Sequence, residues 1–381
     1  MAMNSRALLL GCALLTGCQP APGPDAPGGV TQALSGEDTA GFARALVPRT
    51  LSFPADHGPH PHYRNEWWYF TGQLHTAQGR RFGYQLTLFR IGLRPPAPGD
   101  PVRASRWATR EVYMGHATLS DIDGPGGGRR FHTRERLSRA ALGLAGATSD
   151  PIHIWLEDWR ILRHPGPAER WEIRAQTPGF GLSLGLEART PIVAQGDRGL
   201  SQKGSRPGNA SYYYSIPGLR AQGTVSLDGE TFQVEGEGWL DREWSTSALE
   251  PGQVGWDWFS LRLTRGRYLM YYRIRRRDGA TDPHSAGMWL TPRGPLGLKA
   301  EDVRVEVLDR WDSPRGPSYP ARWRLRVPSQ GLDLIVTPLL RDQELALSVR
   351  YWEGAVEVRQ AGTREPAGTG YVELTGYTAA D

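Results

Sequence analysis

From about residue 51 onward, apolar positions recur every second residue rather than every third or fourth. In "RRFGYQLTLF", Phe82, Tyr84, Leu86 and Leu88 alternate with smaller or polar residues. That is the period of a strand with one face buried. "GTVSLDGETFQVEGEG" sets Val225 and Leu227, an Asp228-Gly229 turn, then Phe232 and Val234, which predicts a hairpin around a two-residue turn. "FSLRLTRGRYLMYYRIRRRDG" repeats the pattern with Arg265-Gly266 at the bend, and "DVRVEVLDRW", "ARWRLRVPSQGLDLIV" and "GYVELTGY" continue it. The best helix candidate, Arg134 to Leu144, is short. Many short strands separated by Gly, Pro and Asp turns predict an all-β sandwich or barrel.

The pattern occurs twice. "WWYFTGQLHTAQGRRFGYQLTLFR" resembles "WDWFSLRLTRGRYLMYYRIR": a Trp pair, a Phe, a Leu four residues later, a Gly turn and an aromatic strand. Two similar β-domains explain the repeat, and 381 residues is about twice one lipocalin-sized barrel. The Pro- and Gly-containing stretch "RPGNASYYYSIPGL" is the expected boundary, giving domains over 49–210 and 211–381.

The N-terminal segment is of another kind. "MAMNSRALLLGCALLTGCQP" has Arg6, an apolar run from Ala7 to Leu15 and a Thr16-Gly17-Cys18 end. The run is too short to span a bilayer and has the form of a secretory signal over residues 1–17. Leu15-Thr16-Gly17-Cys18 resembles a bacterial lipobox, which implies cleavage before Cys18 and lipidation there. Gln19 after the cysteine implies the outer membrane facing the periplasm, with a Pro/Gly/Ala-rich stalk over 18–48. The other cysteine, Cys12, leaves with the signal, so no disulfide or thiolate metal site is expected.

Composition narrows the chemistry. The net charge is +5 over 381 residues, with no long run of like charges, so nucleic acid is not an expected partner. The 14 Trp, 14 Tyr and 9 Phe favour sheets and ligand-lining surfaces. Three clusters set them beside ionisable groups: "HPHYRNEWWYFTG" after Asp56 and His57, "GWLDREWS" (238–245) and "GWDWF" (255–259).

Strand alternation puts Trp239, Asp241 and Glu243 on one face and Leu240, Arg242 and Trp244 on the other. Two carboxylates beside an indole raise each other's pKa, and burial adds to that, giving a usable proton donor. Pairing with arginines at a barrel rim is the structural alternative. The same alternation separates Glu66, Trp68 and Phe70 from Trp67, Tyr69 and Thr71, and puts Asp257 opposite Trp256 and Trp258. His57, His60 and His62 are close in sequence, but loop spacing alone is a weak metal signal, and no metal or cofactor is expected. His116 is assigned to a hydrogen-bond network.

Taken together, "FPADHGPHPHYRNEWWYFTG", "YYYSIPGL", "GWLDREWS", "GWDWFSLRL" and the closing "YWEGAVEVRQAGTREPAGTGYVELTGY" resemble the secreted AttH-like family, which is related to hydroxyneurosporene synthase, the carotenoid 1,2-hydratase. The resemblance implies two tandem lipocalin-like antiparallel β-barrel domains with a ligand cavity near their junction. It places the hydratase acid motif on Asp241, Glu243 and Trp244, with Arg242 where the family usually has His and Glu243 where the carotenoid enzymes have Asn.

Two functions follow as expectations. One is a lipid-anchored envelope binder of a hydrophobic lipid or isoprenoid, associated with an ABC transporter. The other is a hydratase, lyase or isomerase acting on an apolar alkene. The candidate catalytic residues are Asp241, Glu243, Asp257 and Glu66; the candidate ligand contacts are His57, Trp67, Trp68, Tyr69, Trp239, Trp244 and Trp258. Aromatic platforms also allow carbohydrate binding, but no residue here selects for sugars.

Overall fold

The computed structural model describes residues 39–97, 99, 105–124, 130–247 and 249–377. The expected signal segment 1–17, Cys18 and the stalk up to residue 38 lie outside the described residues.

The alternating segments form strands throughout. The first sheet contains β1 (Asn65–His75), β2 (Arg81–Gly92), β3 (Glu111–Asp121), β4 (Arg130–Arg139), β5 (Ala145–Ser149), β6 (Ile152–Leu156), β7 (Trp159–Arg163), β8 (Arg170–Gln176), β9 (Phe180–Ala188), β10 (Val193–Ala194), β11 (Leu200–Gln202), β12 (Ala210–Leu227) and β13 (Glu230–Ser245). The second contains β14 (Gln253–Leu263), β15 (Arg267–Arg276), β16 (Ala286–Thr291), β17 (Gly294–Lys299), β18 (Arg304–Asp312), β19 (Ser318–Val327), β20 (Leu332–Pro338), β21 (Glu344–Ala346), β22 (Arg350–Gln360) and β23 (Pro366–Leu374). The best helix candidate, Arg134 to Leu144, is not a helix: up to Arg139 it belongs to β4, paired with β3 through Val112↔Arg139 to Asp121↔Arg130. Its cross-strand partners, available only in three dimensions, override a weak local helical preference.

The two sheets are built alike. The first runs β4-β3-β2-β1-β13-β12-β9-β8-β7-β6-β5 and the second β17-β16-β15-β14-β23-β22-β20-β19-β18. In each, the opening strands form a meander and the first strand then pairs with the last, as the sequence repeat predicts. Both sheets curl into barrel-like domains; in the first, β3 and β4 approach β5 and β6. The sheets change between Ser245 and Gln253 rather than at 210/211. "SYYYS" is the start of the 18-residue β12, whose tyrosines are buried, and β12 and β13 complete the first barrel. They turn at Asp228 and Gly229, both at positive φ (51° and 87°), as a tight hairpin requires.

Side chains fill each barrel. Trp68, Trp159, Trp171 and Trp244 sit in the first core and Trp323 and Trp352 in the second, all nearly or fully excluded from solvent. A strap before β1 covers the first barrel. His57 Nδ1 lies 2.6 Å from the Tyr214 hydroxyl, Trp68 Nε1 donates to His57 O at 2.9 Å, and the His60 ring stacks on Trp244 at 3.8 Å.

Candidate active site

Because both lumens are packed, the site lies between the barrels. The strand register builds its first wall in three rows across β1, β13 and β12. Asn65, Ser245 and Ser211 form one row; Trp67, Glu243 and Tyr213 the next; Tyr69, Asp241 and Ser215 the third. Facing them, the second barrel presents Tyr272, Trp258 and Glu373 across β15, β14 and β23, with Trp256 beside Ile274. Tyr351 and Phe89 contribute to the lining, and the cavity between the walls measures about 120 Å³. Aligning Phe70 with Phe259 in the repeat pairs Trp67 with Trp256 and Tyr69 with Trp258, and all four residues line this space.

Asp241 is 3% exposed. Its Oδ1 accepts hydrogen bonds from Ser215 Oγ at 2.5 Å and Trp239 Nε1 at 2.7 Å, and its Oδ2 accepts one from the Tyr213 hydroxyl. Burial outweighs these donors and pushes its pKa up to about 6. Among the described residues, no cation pairs with it. Glu373 has a related environment. It accepts a hydrogen bond from Trp256 Nε1 at 2.7 Å, and burial, with Asp241 and Glu243 nearby, pushes its pKa up to about 7.

Glu243 is paired instead. Lys203 Nζ lies 3.5 Å from its Oε1, 3.8 Å from the Tyr272 ring centroid and 5.1 Å from that of Tyr213. Burial opposes the charge on Lys203, but Glu243, Tyr272 and Asp241 together outweigh it and its pKa is raised. Below the cavity, Glu353 accepts a hydrogen bond from Tyr69 of the facing barrel. Burial and Glu373 hold its carboxyl well above the usual range.

The profile of the AttH-like family matches residues 44–377. The chain belongs to this family. A crystal structure of an AttH protein from Nitrosomonas europaea is 33% identical, covers 88% of this chain and 100% of its own, and superposes with a TM-score of 0.78. Kievitone hydratase from Nectria haematococca is 15% identical over 89% of this chain and 98% of its own, with a TM-score of 0.63, a likeness of fold. No curated protein matches in sequence. The family's two-domain lipocalin-like architecture is the one seen here.

The structure divides the candidates named from sequence. Asp241, Glu243, Trp67, Tyr69 and Trp258 line the cavity. Trp239 supports it from behind through its bond to Asp241. His57, Glu66, Trp68 and Trp244 face the first barrel's interior and strap, so they do not line this cavity. His57 meets Tyr214 and Glu169, and Glu66 pairs with Arg90 and Arg242. Asp257 also faces away, toward Arg275 Nε at 2.9 Å and the Tyr377 hydroxyl at 2.8 Å. Arg242, where the family usually has His, lies 3.9 Å over the Trp68 ring, inside the barrel. The residue at 242 therefore points away from the cavity.

Several cavity residues were not singled out by sequence: Lys203, Tyr213, Tyr272, Glu373 and Tyr351. The signals for Tyr213, Tyr351 and Glu373 lay in "YYYSIPGL", "YWEG" and "GYVELTGY", which the family resemblance quoted without a role. Lys203 gave one compositional hint, being one of two lysines in the chain.

Proposed function

We propose that the protein holds an apolar, alkene-bearing small molecule between its barrels and acts on it as an acid–base catalyst of the hydratase, lyase or isomerase type. The observation that carries this reading is Asp241, a buried cavity-wall carboxyl fixed by three donors and paired with no cation among the described residues. A carboxyl in that setting keeps its proton up to about pH 6, far above an ordinary aspartate, and can deliver it to a substrate carbon. Indole and phenol faces exclude water and stabilise positive charge developing on the substrate. The hydratase named among the structural neighbours supports the view that this fold can accommodate such chemistry. Glu373 faces the same space and is a second acid.

Unaltered carriage of a lipid or isoprenoid is the second reading, favoured by the lipobox-like Leu15-Thr16-Gly17-Cys18. In that reading Cys18 tethers the protein to the bacterial envelope, on the outer membrane facing the periplasm, and the ligand passes to or from an ABC transporter. Native mass spectrometry of protein purified from its own cells separates the two. Catalysis predicts that the co-purifying alkene leaves altered, as its water adduct or an isomer, and that Asp241→Asn retains the ligand but loses conversion. A ligand that emerges unchanged from the wild type, or conversion that survives in Asp241→Asn, contradicts the catalytic role of Asp241.

A further inference from the structure

We propose that Tyr351 is a second proton-transferring group of the cavity and that His116 and Glu135 connect it to solvent; this extends the acid–base reading above. Tyr351 lines the cavity from β22. Its hydroxyl lies 2.7 Å from His116 Nδ1, and His116 Nε2 lies 3.1 Å from Glu135 Oε1. His116 and Glu135 are direct cross-strand partners on β3 and β4, so register fixes their approach. His116 is fully buried, whereas the Glu135 side chain is 21% exposed. Ser348 holds that carboxylate through its hydroxyl and its backbone N–H. A carboxylate, an imidazole and a hydroxyl therefore run from the surface into the cavity, crossing from one barrel to the other. This is the order of groups by which an orienting acid and a base activate a hydroxyl.

The electrostatics suit transfer through a neutral imidazole. Burial lowers the His116 pKa, and Glu135 opposes this only in part. At neutral pH the ring then has one N–H and one lone pair, as a relay requires. Burial, with Glu353 and Glu373 nearby, pushes the Tyr351 pKa well up, so a free phenolate is out of reach. The hydroxyl can act only by passing its proton to His116 as it takes one up. Gln85 Nε2, at 3.4 Å, also meets this hydroxyl, and the Glu353 carboxyl interacts with it from its own strand. The barrels are joined elsewhere by neutral bonds, such as Gln73 Nε2 to Val356 O and Gly370 O at 2.9 Å each, and by the Arg262–Glu237 ion pair at 2.7 Å. Neither of these continues from the surface into the cavity as a series of three groups.

In a hydration, Asp241 gives its proton to one alkene carbon and the water oxygen bonds to the other. The water's proton passes to the Tyr351 oxygen while the tyrosine's own proton moves to His116 Nδ1. The imidazolium releases its Nε2 proton by way of Glu135, and a proton from solvent restores Asp241. No oxidant or reductant is required.

Benzenesulfonyl fluoride, a neutral aryl probe, tests the relay without the natural substrate. The tyrosine oxygen–sulfur bond forms as the sulfur–fluorine bond breaks; fluoride leaves and the proton goes to His116. Peptide mass spectrometry should find Tyr351 labelled, at a rate that rises with pH as His116 deprotonates. His116→Gln preserves hydrogen bonding but accepts no proton, and should slow labelling at least about 10-fold. Glu135→Gln should slow it less, and it decides the matter should His116→Gln not fold. Tyr213, bonded to Asp241, is the internal control and should not respond. Equal labelling in the two variants and the wild type, or no labelling of Tyr351 in the wild type, overturns the relay. Either result leaves the Asp241 conversion experiment standing as a separate test.

Discussion

Glu66 on β1 and Asp241 on the neighbouring β13 are buried on opposite faces of one sheet, and the protein treats them in opposite ways. Glu66 looks into the first barrel and is 0% exposed, as are Arg90 and Arg242. Both arginines pair with it, and His60 N donates to its two oxygens at 3.0 and 3.1 Å. Burial alone would raise its pKa, but the two guanidinium groups hold it well below the usual range. One face over, Asp241 is equally buried and meets only neutral donors, and its pKa moves the other way. Both acids have tryptophans around them. The counter-charge, rather than the aromatic setting, separates a carboxylate held ionised from one whose proton is held more tightly.

The largest expected effect comes from breaking the paired set. Glu66→Gln leaves two buried guanidinium groups short of their anion, and chemical denaturation at neutral pH should show a loss of about 3–5 kcal/mol. The pH dependence has a definite sign. With its folded pKa depressed below 4.5, Glu66 contributes stability above that value and loses it as pH falls, so variant and wild type should converge in acid.

Asp241 should behave in reverse. Its pKa rises from 3.8 to about 6 on folding, so its contribution is complete below 3.8 and lost as pH rises through about 6. At about 1.4 kcal/mol per pH unit, that loss is on the order of 3 kcal/mol. Asp241→Asn cannot ionise. Its stability relative to wild type should therefore climb over this window, leaving it at least as stable as wild type at neutral pH while conversion is lost. A variant that is strongly destabilised at neutral pH would place Asp241 with Glu66.

The smallest expected effect sharpens the comparison at Glu373. Trp256→Phe removes the indole N–H that favours its ionised form. The Glu373 titration, followed by NMR of labelled carboxyl carbons, should move up by about one pH unit. No movement would mean that the indole contributes nothing to tuning this acid.

Alternation in the sequence made most of this legible. The period of two placed Trp239, Asp241 and Glu243 on one face and Arg242 and Trp244 on the other, as found. The Asp228-Gly229 hairpin and the repeated Trp-rich hairpins β1–β2 and β14–β15 were also readable, because turn chemistry and side-chain period are local. Which face met the cavity was not readable. Glu66 and Asp241 both adjoin tryptophans in sequence, and only the folded sheet brings Arg90 to one of them. Lys203, Tyr351 and Glu373 come from distant strands, so their convergence is a property of topology. The stretch before "SYYYS" reads as a linker in sequence, whereas the strand it introduces pairs within the first sheet.

Infrared difference spectroscopy between about pH 5 and pH 8 tests most directly whether the cavity acids are held neutral while Glu66 is not. The wild type should show carboxylic-acid C=O bands that disappear across this range, with Asp241→Asn and Glu373→Gln each deleting one and Glu66→Gln deleting none. A wild-type spectrum without such bands, or one in which they survive both cavity substitutions, would contradict the central claim.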